Sequence, residues 1–275
     1  IPMVLYALVS KASIGSLFLA GILPGLIMGL VLMIMNYYMA GKRGFAMEDP
    51  IPLRELPRKT ANAFPALLMP VILLYGIYGG VTTPTEAAAI AAFYALLLAG
   101  LFYKALSFRT LFNVFVESAR SSASVGIVIG GAFILNFIVI SEQIPQSIAM
   151  LLEGTDVNPI VFLIVVNLLI LALGCILDAT TIILVIVPLF IPTCEVLGID
   201  LVHFGVLVVV NSMIGLITPP YGILLFVINA VTDIPLREII SEIWAFLVIL
   251  IAALLIMLLV PDLVLWLPRV FGYQG

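Results

Sequence analysis

Gly215-Leu-Ile-Thr-Pro-Pro-Tyr-Gly222 interrupts an otherwise apolar run, Leu201 to Val231, and its reading decides the fold. A run of that length crosses a hydrocarbon core of roughly 30 Å as a helix. Yet two adjacent prolines donate no backbone hydrogen bond, and two glycines favour unwound backbone. The prolines free carbonyl oxygens that hydrocarbon cannot solvate, so these must meet protein, water or an ion. The segment therefore reads either as a plain packing kink or as the break of a discontinuous helix. A break of that kind presents backbone and threonine oxygens to a hard monovalent cation such as sodium.

Upstream lies a second long apolar run, Pro159 to Leu197, with one polar interruption at Gly174-Cys-Ile-Leu-Asp-Ala-Thr-Thr181. At about 1.5 Å per residue a single helix over this run would be about 58 Å long, far more than a bilayer core requires. The run is expected to be a re-entrant hairpin with its tip at the polar stretch. Asp178 at that tip is a carboxylate inside an apolar segment, which costs roughly 2.5 to 3.5 kcal/mol on insertion scales and usually serves a pathway. It either caps the second arm or, with Thr180 and Thr181, offers oxygens to a cation or a solute; the same geometry serves both.

The rest of the chain has the same character. Of its 275 residues 64% are hydrophobic and 9% charged, against about 25% charged in ordinary soluble domains. A soluble fold and a nucleic-acid ligand are both excluded; the fold class is an all-α polytopic membrane protein embedded in the lipid bilayer. Spans are expected at Leu17–Ala40, Ala61–Gly80 (kinked by Pro65 and Pro70), Pro84–Tyr103, Ser121–Ile140 and Ile243–Val260. The connections at Lys42 to Lys59 and at Lys104 to Arg120 are basic and are placed in the cytoplasm. Glu142 to Asn158 holds acids and no base and is placed outside, with Pro145–Glu153 as an interfacial helix. With this threading every basic residue except Lys11 and Arg269 is cytoplasmic. The expected divisions are 1–15 (the end of a first broken helix), 16–124 (scaffold spans), 125–158 (a span and outer arm), 159–197 (hairpin), 198–232 (broken helix) and 233–275 (a final span and tail). Ser13-Ile-Gly-Ser-Leu-Phe18 parallels Asp233-Ile-Pro-Leu-Arg-Glu238, as two copies of an inverted repeat would.

Two smaller signals complete the reading. Gly80-Val-Thr-Thr83-Pro84 shares Gly-x-x-Thr-Pro with the break, and Thr83-Pro84-Thr85-Glu86 reads as a capping box with Thr83 as N-cap and Glu86 at N3, a direct ligand role being the alternative. Cys175 and Cys194 stand alone in apolar stretches, which argues against a transition-metal site or a disulfide framework, and the lone His203 is read as structural, proton coupling being the alternative. The opening at Ile1 shows no signal peptide and looks like the middle of a longer polypeptide.

Gly79-Gly-Val-Thr-Thr-Pro-Thr-Glu-Ala-Ala-Ala89, Gly198-Ile-Asp-Leu-Val-His-Phe-Gly205 and Gly215 to Gly222 resemble signatures of the large membrane subunit of tripartite ATP-independent periplasmic (TRAP) transporters. The resemblance runs over essentially the whole chain. It implies an elevator-type carrier of the bacterial inner membrane with two hairpins, sodium coupling, a small membrane subunit and a periplasmic binding protein that delivers organic acids. In that family an Ile-Pro-Pro-Ser stretch is the first-repeat counterpart of the break, and Ile1-Pro-Met-Val would follow it. Tyr221 departs from the small aliphatic residue many members carry.

The reading is thus a sodium-coupled symporter of a C4-dicarboxylate or acidic sugar, with no catalytic residue and no covalently bound cofactor. The expected sodium ligands are Gly174, Thr180, Thr181, Gly215, Thr218 and Pro219, and the expected solute ligands Asp178, Thr181, Pro220 and Gly222. Gly80, Thr83, Pro84 and Glu86 form a structural motif. A passive channel would instead show polar residues along continuous spans, and an intramembrane hydrolase would give Asp178 an acidic, serine or metal partner.

Overall fold

The computed structural model describes residues 1–43, 56–79, 81–143 and 158–275. The described residues form helices and turns, with no strand among them. The helices are α1 (Pro2–Ser10), α2 (Ile14–Arg43), α3 (Leu56–Tyr78), α4 (Pro84–Leu97), α5 (Phe108–Ser141), α6 (Pro159–Gly174), α7 (Ile191–Val196), α8 (Leu201–Gly215), α9 (Ile223–Thr232), α10 (Leu236–Leu259) and α11 (Asp262–Val270). The segments Ile14–Arg43, Pro84–Phe102, Phe108–Val139 and Leu236–Leu259 are long and apolar enough to cross a membrane, and α6, α8 and α9 are shorter apolar helices. The chain divides into two compact units, Ile1–Arg43 with Val125–Gly275, and Gly44–Ser124.

The larger unit is built around α8. Twelve of its fifteen residues are buried, because helices cover it on several sides: α6, α10, α2 and α1 all pack against it. A helix apolar all round is stable only when enclosed in this way. Alongside it, α2 and α10 run antiparallel, since Arg43 at the end of α2 pairs at 2.6 Å with Glu242 near the start of α10.

The segment before α2 and the segment before α10 share a local design. α1 ends on Lys11 in the left-handed region (φ 58°, ψ 14°), and α9 ends on Asp233 with nearly the same angles (φ 57°, ψ 13°). In each case the next long helix starts three residues later, at Ile14 and at Leu236. The matching angles align Lys11 with Asp233, two residues away from the alignment of Ser13 with Asp233 read from side-chain types.

Between α6 and α8 the chain forms a helical hairpin. Its return arm is a single turn Ala179–Thr181, a π turn Ile182–Ile186, a 3-10 turn Val187–Leu189 and α7. Phe162 near the start of α6 meets Phe190 near the end of the return arm edge-on, with ring centroids 6.3 Å apart, so the two arms run back along each other. Pro188 and Pro192 lie in the return arm, where missing donors favour the departures from α-helical pairing.

In the smaller unit α3 and α4 pack together, and Tyr94 of α4 donates to the Pro65 carbonyl at 2.8 Å. Two expectations are revised here and at the C-terminus. The span expected from Ser121 belongs to a helix starting at Phe108, so Arg109 and Arg120 lie on α5 and only a short connection precedes them. Ser107 caps this helix, its side chain accepting from Thr110 N–H at 3.1 Å, and Arg109, Asn113 and Glu117 fall at i, i+4 spacing on one polar face. The expected C-terminal tail contains α11, which buries Val264, Leu265 and Pro268 and packs on α2. The interfacial helix expected at 145–153 and most of the connection after α2 lie outside the described residues.

Candidate functional site

The hairpin tip is made by ordinary capping chemistry. Asn158 caps α6 by accepting from Ile160 N–H at 2.9 Å, and Pro159 occupies the first turn, where no donor is needed. The helix then runs, with one polar interruption at Asn167, to Gly174. After the tip, Asp178 is the N-cap of the return arm: its Oδ2 accepts from Thr180 N–H at 2.9 Å and Thr181 N–H at 3.3 Å, and its Oδ1 accepts from the Thr181 hydroxyl. Of the two roles open to Asp178, the structure displays the cap. Its outer edge is exposed, so the carboxylate keeps lone pairs beyond the cap.

At the other element, α8 starts on Asp200, which accepts from Val202 and His203 N–H at 2.8 and 3.0 Å, and ends at Gly215. The peptide between Pro219 and Pro220 is cis. Several oxygens at the break find partners: Gly215 O accepts from Thr218 N–H at 3.0 Å, Thr218 O from Gly222 N–H at 3.0 Å, and Leu216 O from Leu224 N–H at 3.2 Å. The Thr218 hydroxyl donates back to Ile214 O at 2.8 Å and keeps its lone pairs. The carbonyls of Ile217, Pro219 and Pro220 accept no hydrogen bond from any described residue. Gly222 is buried beneath the break: a Cβ there would lie 2.9 Å from Leu216 O and 3.0 Å from Thr218 O. That close approach is why the sequence needs glycine.

Tip and break meet. A Cβ built on Gly215 would lie 2.7 Å from Gly174 Cα, and one on Gly174 would lie 3.0 Å from Gly215 Cα, so the two backbones touch with no side chain between them. The structure thus brings Gly174 and Gly215 together directly. It sets Asp178, Thr180 and Thr181 within seven residues of that contact on one strand of chain, and Thr218, Pro219, Pro220 and Gly222 on the other. Thr83, Pro84 and Glu86 belong to the other unit, where they form a complete capping box: Glu86 Oε2 accepts from Thr83 N–H at 2.8 Å and from the Thr83 hydroxyl at 2.9 Å, and Glu86 N–H donates to Thr83 Oγ1 at 3.3 Å. Gly80 lies outside the described residues.

Sequence reasoning passed over three polar side chains of the same region. Asn211 and Ser212 are fully buried on α8, and Asn167 nearly so on α6. Asn211 Nδ2 donates to Asn167 O at 2.6 Å and to Asn167 Oδ1 at 3.0 Å, while Asn167 Nδ2 donates to Leu163 O at 2.8 Å. The available signal was Val-Val-Asn, which occurs at 165–167 and again at 209–211 inside apolar runs. His203 is structural, its Nε2 lying 3.0 Å from Met257 O.

Residues 1–263 match the family described as the tripartite ATP-independent periplasmic transporter, DctM component. The chain is 39% identical to the sialic acid TRAP transporter large permease protein SiaM of Vibrio cholerae over 274 residues, 99% of this chain and 64% of that protein. It is 40% identical to the C4-dicarboxylate TRAP transporter large permease protein DctM of Pseudomonas aeruginosa over 272 residues, again 99% and 64%. To the 2,3-diketo-L-gulonate TRAP transporter large permease protein YiaN of Escherichia coli it is 32% identical over 265 residues, 96% and 62%. The chain therefore spans somewhat less than two thirds of the length of these relatives, all of which are transporter permeases.

Proposed function

The chain belongs to the DctM-component family of TRAP transporters, a family of inner-membrane permeases, and from that membership we propose that it supplies one half of a sodium-coupled symport site for an organic acid. The carrying observation is the direct contact of Gly174 with Gly215, which joins two helix interruptions into one oxygen-rich locus. Carbonyls left free at Ile217, Pro219 and Pro220, with the Thr218 hydroxyl, suit a hard cation; Asp178, Thr180 and Thr181 at the tip offer oxygens to that cation or the solute. The hairpin enters the membrane without crossing it, and it moves with the broken helix as one body against the remaining spans.

The solute is a carboxylate such as a C4-dicarboxylate or an acidic sugar. Support comes from the relatives, which are large permease proteins of sialic acid, C4-dicarboxylate and 2,3-diketo-L-gulonate TRAP transporters. A small membrane subunit and a periplasmic binding protein complete the transporter.

The test is uptake of such an acid by proteoliposomes holding the complete transporter, with and without an inward sodium gradient. Thr218→Val keeps the shape and deletes the hydroxyl, so it should raise the sodium concentration for half-maximal uptake more than it lowers assembly. Asp178→Asn should depress uptake in an assembled complex. Uptake indifferent to sodium, with both variants behaving as wild type, would leave these residues as helix caps and remove the proposal.

A further inference from the structure

Inside a membrane, apolar helices gain little from sliding to one register over another, because lipid tails are as apolar as their side chains; small residues and polar cross-links fix the register instead. The α6/α8 seam has both devices. Leu163, Asn167, Ile170 and Gly174 follow one another at spacings of four, three and four and are all buried, so they form one face of α6. Deeper along that face is the contact of Gly174 with Gly215, and on α8 Asn211 lies one turn before Gly215. The Asn211 amide bridges to both oxygens of Asn167 and is the side-chain to side-chain hydrogen bond between these two helices among the described residues.

Asn211 Oδ1 is buried and has no hydrogen-bond partner among the described residues. An amide held for stability alone would be poorly chosen here, since a leucine of similar size would bury no unpaired acceptor. The same amide is well suited to hold a register. Slipping α8 by one residue along α6, about 1.5 Å, would break both Asn211 bonds and carry the oxygens of Ile217 and Thr218 away from those at the tip.

We infer that Asn211 is a positioning residue which, through Asn167, sets the offset between the hairpin tip and the helix break and thereby the affinity of the site they share. The inference rests on the sodium site proposed above. Residues that orient ligands without touching the ion change affinity by about 10–100-fold when removed. Asn211→Leu loses both bonds to Asn167 and is expected to raise the sodium concentration for half-maximal uptake by about that factor. Between the two helices Asn167→Ala removes the 3.0 Å bond and keeps the backbone acceptor at 2.6 Å, and within α6 it removes the bond to Leu163 O, so its shift should be smaller but in the same direction.

The experiment is sodium-dependent uptake in proteoliposomes of the complete transporter, measured as half-saturating sodium and maximal rate separately, for wild type, Asn167→Ala, Asn211→Leu and Thr218→Val. A graded rise in half-saturating sodium, with maximal rate per assembled complex changed less, supports the positioning role. A fall in maximal rate at unchanged half-saturation marks a mere brace and overturns it. Should Asn211→Leu fail to assemble, Asn167→Ala decides, and an unmoved half-saturation there is equally fatal. If Thr218→Val shifts the sodium dependence and neither asparagine variant does, the positioning role falls alone; wild-type uptake indifferent to sodium removes the site and the role together.

Discussion

Replacing Gly215 by alanine tests the contact on which the site rests. The added Cβ would sit 2.7 Å from Gly174 Cα, 2.9 Å from its carbonyl carbon and 3.1 Å from its carbonyl oxygen. Carbon atoms pack at about 3.5–4.0 Å, so the helices must part by about 1 Å. All three neighbours are backbone atoms, and no rotamer change can relieve them. Overpacking of this kind costs about 1–3 kcal/mol. The reciprocal change, Gly174→Ala, brings one backbone atom to 3.0 Å and the next two atoms only to 3.7 and 3.8 Å, and should cost less. Gly29 provides the control: it is inside α2 with nothing within 4 Å of a built Cβ. There alanine should be neutral or stabilise by up to about 1 kcal/mol through helix propensity. Thermal unfolding of the purified protein in detergent should therefore rank Gly29→Ala at or above wild type, Gly174→Ala below it and Gly215→Ala lowest. Should Gly215→Ala unfold with or above Gly29→Ala, the two backbones are not in contact and the joined site loses its foundation.

Three further outcomes are expected. Tyr6 is fully buried, donates to Leu201 O at 2.6 Å and lies against Gly205, so Tyr6→Phe should cost about 0.5–1.5 kcal/mol in the same unfolding assay, and no loss would mean the α1 to α8 bond is not formed. Tyr273 donates to Asp200 at 3.1 Å, and burial first, then the Asp200 charge, push its phenol up from 10.0 to about 12. Because the folded value is the higher one, this contribution is intact below about pH 10 and fades as pH climbs toward the folded value; a tyrosinate absorbance titration of wild type minus Tyr273→Phe should show the missing phenol ionising near the upper value, and ionisation at the ordinary value refutes the contact. Finally, with Cys175 and Cys194 replaced, a cysteine at Lys42 should resist an impermeant thiol reagent in intact cells while one at Arg269 reacts; the opposite pattern overturns the charge-based topology.

The parts of the fold legible in sequence were those that chain chemistry enforces locally. Double proline between glycines announced the end of α8, the excess length of the run from Pro159 announced a turn, and Thr83-Pro-Thr-Glu86 announced a cap whose hydrogen bonds are all present. The start of α5 was not legible by hydropathy, because its first turns carry Arg109, Asn113, Glu117 and Arg120, and polar periodicity rather than apolar length marks a helix there. Nor was the left-handed closure at Lys11 and Asp233, since neither residue is the glycine that normally signals it. At the candidate site, the tip and the break were legible as interruptions of apolar runs, but the pairing of Asn167 with Asn211 depends on which helix faces meet, and periodicity on a helix buried all round points nowhere.

The two arms of the hairpin differ in a mechanical sense. Along α6 every turn is α-helical, and bending it anywhere past its first turn would break backbone hydrogen bonds beside its buried face. The return arm changes from π to 3-10 to α within about fifteen residues and contains Pro188 and Pro192, which contribute no donor. Flexing at those points sacrifices few bonds. The hairpin is therefore a stiff post fixed to α8 and a compliant strut behind it, and any opening of the tip should be hinged in the strut, leaving Gly174 seated on Gly215.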